Sequence, residues 1–183
     1  MLITDIIPLG AVAIVAAAIL TVIACIRQKR TLTQAIYVFA VRFFGLWYAL
    51  IAVTLLFKLF TVRFAVSGEE NPLRANFVPF RTIMQYVKQR NTVQIFGNIA
   101  ALFPLPIMLH LNFPRTPFRK CAVIAAVVTI LIEPLQLLVN IAIRAPFNVV
   151  DIDDLILNAV GVAVGLLAVR FVMIIRVRVR ERE

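Results

Sequence analysis

Five stretches of the chain run apolar with little interruption: roughly 6–26, 36–62, 93–111, 121–140 and 155–175. Each is about 20 residues or longer, enough to cross some 30 Å of hydrocarbon as a helix. The runs are continuous rather than alternating, so they predict helices and not the strands of a barrel. The longest polar break, residues 63–92, is punctuated by Gly68 and Pro72 in its first half. From Pro79 onward a different pattern begins. Phe80, Ile83, Met84 and Val87 fall at i, i+3, i+4, i+7, with Arg81, Gln85, Lys88 and Gln89 on other faces. That pattern predicts a short amphipathic helix lying in the membrane interface with its apolar face down.

Composition sharpens this picture. Of 183 residues, 62% are hydrophobic and 15% charged, against about a half and a quarter in soluble domains. The expected class is an all-α integral membrane protein, one membrane domain over 1–183. About five transmembrane helices and the interfacial helix are expected, with a two-helix N-terminal part over 1–62. The first apolar stretch lacks a basic segment before it and ends in RQKR, so it reads as a retained helix rather than a signal peptide.

The net charge of +10 then has a topological meaning. Arg27, Lys29 and Arg30 follow the first stretch. Arg115, Arg119 and Lys120 join the third and fourth, and Arg176, Arg178, Arg180 and Arg182 follow the fifth. With five spans all three clusters share one side, which the positive-inside rule makes the cytoplasm, so the N-terminus is expected outside. The basic tail, 176–183, would also meet anionic lipid, at about 1 kcal/mol per basic residue near the surface. Nucleic acid is not an expected partner; membrane lipid is. Cys25 and Cys121 fall near cytoplasmic ends and are expected unpaired, and no zinc pattern exists.

Three spans carry unusual residues. FPLP at 103–106 places two prolines in the third, where a kink or break is expected. LIEPLQ at 131–136 puts Pro134 beside Glu133 in the fourth. GVAVG at 161–165 gives the fifth a close-packing face through Gly161 and Gly165.

Depth then groups the polar side chains. Glu133 lies twelve residues beyond Cys121, about 18 Å along a helix, in the outer half of the bilayer. Gln136 follows on the same face. Gln94 and Asn98 are one turn apart at the outer end of the third span. Asp151, Asp154 and Asn158 form a stripe at the outer mouth of the fifth, while Asp153 faces elsewhere. A charge at mid-membrane costs at least about 2.5–3.5 kcal/mol, so these groups should meet one another. An outward-opening polar pocket is expected, roofed by the interfacial segment.

Plainer roles compete with this. Asp151 can cap its helix with Asp154 as a capping-box partner. Asp153 reads as a solvated charge, and Glu133 as a structural acid bonded to Asn98 or Asn158. The sharper reading makes Glu133 a proton carrier, a hard-metal ligand with Asp154, or a binder of a cationic head group. His110 falls at the cytoplasmic interface, far from every acid. Arg42 reads as snorkelling, and Trp47 and Tyr48 as packing. No catalytic residue, metal or cofactor is assigned.

NFVPF (76–80), GN (97–98), EPLQ (133–136) and DIDDLILNAVGVAVG (151–165), in that order, resemble the VanZ-like membrane proteins over roughly 70–175. The resemblance implies a multi-pass protein of the bacterial cytoplasmic membrane, of the kind associated with teicoplanin resistance. It directs interest to Asn76, Pro79, Phe80, Asn98, Glu133, Gln136, Asp151, Asp154 and Asn158. The chain departs from the family in Pro106, where Gly is frequent, and in Asn148, where a basic residue is frequent. Arg144 or Arg81 would then have to balance the acids. The function this implies is a cell-envelope factor lowering susceptibility to lipoglycopeptides, through recognition of a lipidated ligand or lipid-linked cell-wall precursor. The alternatives are a membrane enzyme acting on such a precursor, and a small transporter or flippase. The missing repeat argues against the transporter, although an oligomer could supply a pathway.

Overall fold

The computed structural model describes residues 3–28, 31–56, 75–143 and 150–180, almost all of them helical. In chain order these form α1 (Ile3–Gln28), α2 (Leu32–Leu56), β1 (Ala75–Asn76), α3 (Arg81–Lys88), α4 (Thr92–Leu102), α5 (Pro104–Asn112), α6 (Phe118–Ile143), β2 (Val150–Asp151) and α7 (Ile152–Arg180).

Four stretches are long and apolar enough to cross a membrane: Leu32–Thr54, Thr92–Asn112, Phe118–Ala142 and Ile152–Val179. The first expected run falls in α1, whose fully described apolar stretch is Ala11–Arg27. The described chain is therefore a bundle of four candidate spans plus α1. The second expected run, 36–62, begins earlier as a helix, and its last residues lie outside the described ones. The early start has a local cause. Thr31 accepts the Gln34 amide at 3.4 Å, and Gln34 Oε1 accepts the Thr31 amide at 3.3 Å. This reciprocal pair is a capping box.

The FPLP segment interrupts the third span as expected. The helix is interrupted at Phe103, between α4 and α5, although Phe103 keeps helical dihedrals (φ −53°, ψ −44°) and its amide still donates to the Ile99 carbonyl at 3.0 Å. Proline has no amide to donate, so the ladder opens while the backbone continues its path. The Tyr48 hydroxyl donates to the Ala101 carbonyl at 2.7 Å, two residues before this break. Tyr48 thus does more than pack. By contrast α6 runs through Pro134 as one helix.

α7 is the hub of the bundle, touching α4, α5 and α6. The core is Leu102, Ala125, Ile132 and Val162, with Leu105, Leu109, Val128 and Leu166 against it. Gly161 and Gly165 set the approach of α7 to the broken span. A Cβ on Gly161 would collide with the Ile99 carbonyl oxygen, and one on Gly165 with that of Phe103. The expected close-packing face therefore has a specific partner, the α4–α5 junction. On the other flank α1 packs on α2, burying a small-residue stripe of Ala13, Ala17, Thr21 and Ala24. Small residues let helices approach where lipid supplies no hydrophobic drive. Arg42 of α2 donates to the Leu20 carbonyl of α1, so it bridges two helices rather than only snorkelling. Large apolar side chains such as Val127, Ile130, Leu138, Leu167 and Phe171 remain exposed, as a lipid-facing surface requires. Cys25 and Cys121 are both free thiols.

Candidate functional site

The polar residues collect where α7 begins. β1 and β2 pair in parallel, Ala75 opposite Val150 and Asn76 opposite Asp151, tying the segment before α3 to the start of α7. Asp151 caps α7: its Oδ1 accepts the Asp153 amide at 2.9 Å. That carboxylate also accepts from Asn76 Nδ2 at 3.0 Å and from the Thr82 hydroxyl at 2.6 Å. Asn76 is therefore shared, donating to Thr82 as well and accepting the Val78 amide through Oδ1.

The expected capping box is completed differently. Its return bond comes from Glu133 of α6, whose Oε2 accepts the Asp151 amide at 3.1 Å. Asp154 instead accepts a hydrogen bond from Asn98 of α4. The reason is reach: Asp154 faces the broken span, and Glu133 arrives beside the first free amide of α7.

Asp153 is the main correction. Expected to be solvated, it is 0% exposed. Its carboxylate accepts the amides of Phe80 at 2.5 Å, Thr82 at 2.7 Å and Ile83 at 3.0 Å. These are the first free donors of α3, an eight-residue helix with no side-chain cap of its own. A carboxylate there also meets the positive end of the helix dipole. Phe80 precedes the helix in the left-handed region, φ 64°. That conformation costs an L-residue roughly 1–2 kcal/mol, and the three bonds to Asp153 hold it.

Thus α3 is anchored at its N-terminus by α7. Its apolar residues Met84 and Val87, with Phe77, Val78 and Phe80 before them, are exposed. Pro79 sits exposed in the turn between them. The Tyr86 phenol has its pKa raised above 10 by burial and by the charges of Asp154, Asp151 and Asp153.

Of the expected set, hydrogen bonds link Asn76 to Asp151, Asp151 to Glu133, and Asn98 to Asp154. Gln136 and Asn158 are buried at 8% and 2% exposure. Gln94 is exposed and stands outside this group. Asn140, 0% exposed, was missed, although it continues the Glu133–Gln136 stripe at i+7. Thr82 was missed too; nothing in its local sequence marks it. Glu133 Oε1 and Asn158 Oδ1 are buried with no hydrogen-bond partner among the described residues. Glu133, Gln136, Asp151 and Asn158 are buried, and Asn76, Asn98 and Asp154 are half-buried around them. Arg81 is exposed, and Arg144 lies outside the described residues. Among the described residues, no group of three or more His, Cys, Asp and Glu is placed to hold a metal ion.

Apolar helices around a buried polar knot make this a multi-pass helical membrane protein. The VanZ/LLP1 family model matches residues 43–175, so the chain belongs to that family. The match reaches farther toward the N-terminus than the recognisable motifs and takes in most of α2. No curated protein and no solved structure matches the chain.

Proposed function

We propose that this VanZ-family protein lowers susceptibility to lipoglycopeptides such as teicoplanin by recognising a lipidated or lipid-linked ligand at the outer leaflet of a bacterial cytoplasmic membrane. The observation that carries the proposal is the pair of unpartnered buried oxygens, Glu133 Oε1 and Asn158 Oδ1. A buried acceptor without a donor costs about 1–3 kcal/mol, and native folds retain few of them without a role. Both sit in the stretch that the family match covers. A ligand bearing hydroxyl, amide or ammonium donors would satisfy them. The exposed apolar residues Phe80, Met84 and Val87 would receive its lipid part.

In this reading the N-terminus is outside and the basic clusters are cytoplasmic. The ligand's polar part would reach Glu133, Asp154 and Asn158, with Gln136 behind them and Asn76 and Asp151 holding the roof. The test is expression of wild type and Glu133→Gln at matched levels in a susceptible Gram-positive host, with growth inhibition by teicoplanin and vancomycin measured in parallel. Selective protection against teicoplanin, lost in the variant, is expected. No protection from well-expressed wild type would overturn the proposal. Protection that survives the substitution would remove Glu133 from the mechanism.

A further inference from the structure

A second region of the molecule has the build of a ligand site and plays no part in the polar knot. Between α1, α2 and α5 lies a cavity of about 380 Å³, lined by Leu20, Leu46, Ala49, Leu105 and Leu109 among others. Beside it is a larger one of about 670 Å³, where Thr33, Gln34 and Tyr37 bring polar groups. Arg42 and Asn112 line both. Each volume is within the range of small-ligand pockets, about 300–1,000 Å³. Asn112 ends α5, fourteen residues beyond Asn98 and so about 20 Å along the span. This is the opposite end of the bundle from the carboxylates.

The chemistry changes from one chamber to the other, and Arg42 stands at the change. Among the described residues, no carboxylate lines either chamber. The bond to the Leu20 carbonyl uses one of the five N–H donors of a guanidinium. A charge within a membrane helix costs at least about 2.5–3.5 kcal/mol unless something offsets it. Asn112 Nδ2 is already directed to the Met108 and Val41 carbonyls, which fixes the wall beside Arg42. Gly45 keeps α2 close to that wall, since a Cβ there would strike Asn112. An apolar chamber, then a cation, then a chamber of mixed lining with Thr33, Gln34 and Tyr37 beside Val38 and Leu111 match an acyl chain, a phosphate and a head group in order.

We infer that α1, α2 and α5 form a binding site for an anionic phospholipid, with an acyl chain in the apolar chamber and the phosphate on Arg42. Arginine suits phosphate because its planar fork can donate two parallel bonds. Basic pockets between membrane helices recognise anionic head groups in the same way. A zwitterionic lipid brings its own ammonium to compete for the phosphate; an anionic lipid does not. The apolar chamber selects lipid over free phosphate.

The chain has a single tryptophan, Trp47, between the lining residues Leu46 and Tyr48, so its fluorescence reports on this site. The full chain is reconstituted in phosphatidylcholine vesicles containing increasing mole fractions of brominated phosphatidylglycerol or brominated phosphatidylcholine. Wild type is expected to show saturable quenching at a several-fold lower mole fraction of the anionic lipid. Arg42→Gln should bring the two curves together, and Arg42→Lys should keep most of the difference. Ala49→Phe, which fills the apolar chamber, should abolish the saturable phase without touching the charge. Added inorganic phosphate should not relieve the quenching. Coincident curves for wild type would overturn the inference, as would a preference that persists in both Arg42→Gln and Ala49→Phe.

Discussion

Asp153 of α7 accepts the Thr82 amide of α3 at 2.7 Å across 71 residues of chain. The same carboxylate also accepts the amides of Phe80 and Ile83. A short helix with exposed apolar residues thereby has its start fixed to the longest span. α3 and the polar knot are one mechanical unit, because Asp151, two residues before Asp153, holds Asn76 and the Thr82 hydroxyl.

Asp153→Asn should therefore release α3. The substitution removes the charge and turns one acceptor into a donor facing amides. A buried donor left without its acceptor costs about 1–3 kcal/mol, and charged partners add to that. The purified protein should melt lower, and trypsin should cut faster after Arg81, Lys88 and Arg90. Unchanged cleavage there would show that α3 is held by something else.

The glycines of the chain should separate into two kinds. Gly161→Ala places a methyl against the Ile99 carbonyl, and Gly165→Ala against that of Phe103. Each should cost roughly 1–3 kcal/mol, as overpacking does. Gly97→Ala meets nothing within 4 Å and sits inside α4, so it should be neutral or stabilising by up to about 1 kcal/mol. Thermal unfolding in detergent of the three variants side by side tests the contrast.

Asn98 and Asp154 should be coupled. They bond directly between α4 and α7, so Asn98→Ala and Asp154→Ala should be non-additive. A double-mutant cycle on unfolding should give about 0.5–3 kcal/mol of interaction. Strict additivity would mean that the contact contributes nothing.

The Tyr86 phenol supplies a pH signature. Its pKa is raised in the folded chain by burial and by three nearby carboxylates. The unfolded chain therefore loses this proton at lower pH than the folded chain. Stability from this group is full below about pH 10, the free phenol value, and falls as pH rises above it. The absorbance step of phenolate formation should come later for the folded protein than for the unfolded one. Tyr86→Phe should remove that late component and flatten the alkaline loss of stability.

Much of this molecule was legible from residue order. Hydrophobic run length fixed the membrane class, because about 20 apolar residues match the bilayer whatever surrounds them. The 3.6-residue repeat from Phe80 to Val87 announced α3, and the two prolines announced the break at Phe103, since both effects are local to the backbone. The motif order also pointed to the family. Tertiary structure alone decided the partners. A helical repeat says that Asp154 and Asn158 share a face, but not which helix covers it. Asp153, off that stripe, looked solvated, because the amides it binds are 70 to 73 residues away in sequence. Glu133 replaced Asp154 as the reciprocal cap of α7 for the same reason. Local sequence sets which groups are left unsatisfied at a helix end, and only the packing of helices in three dimensions determines which distant side chain satisfies them.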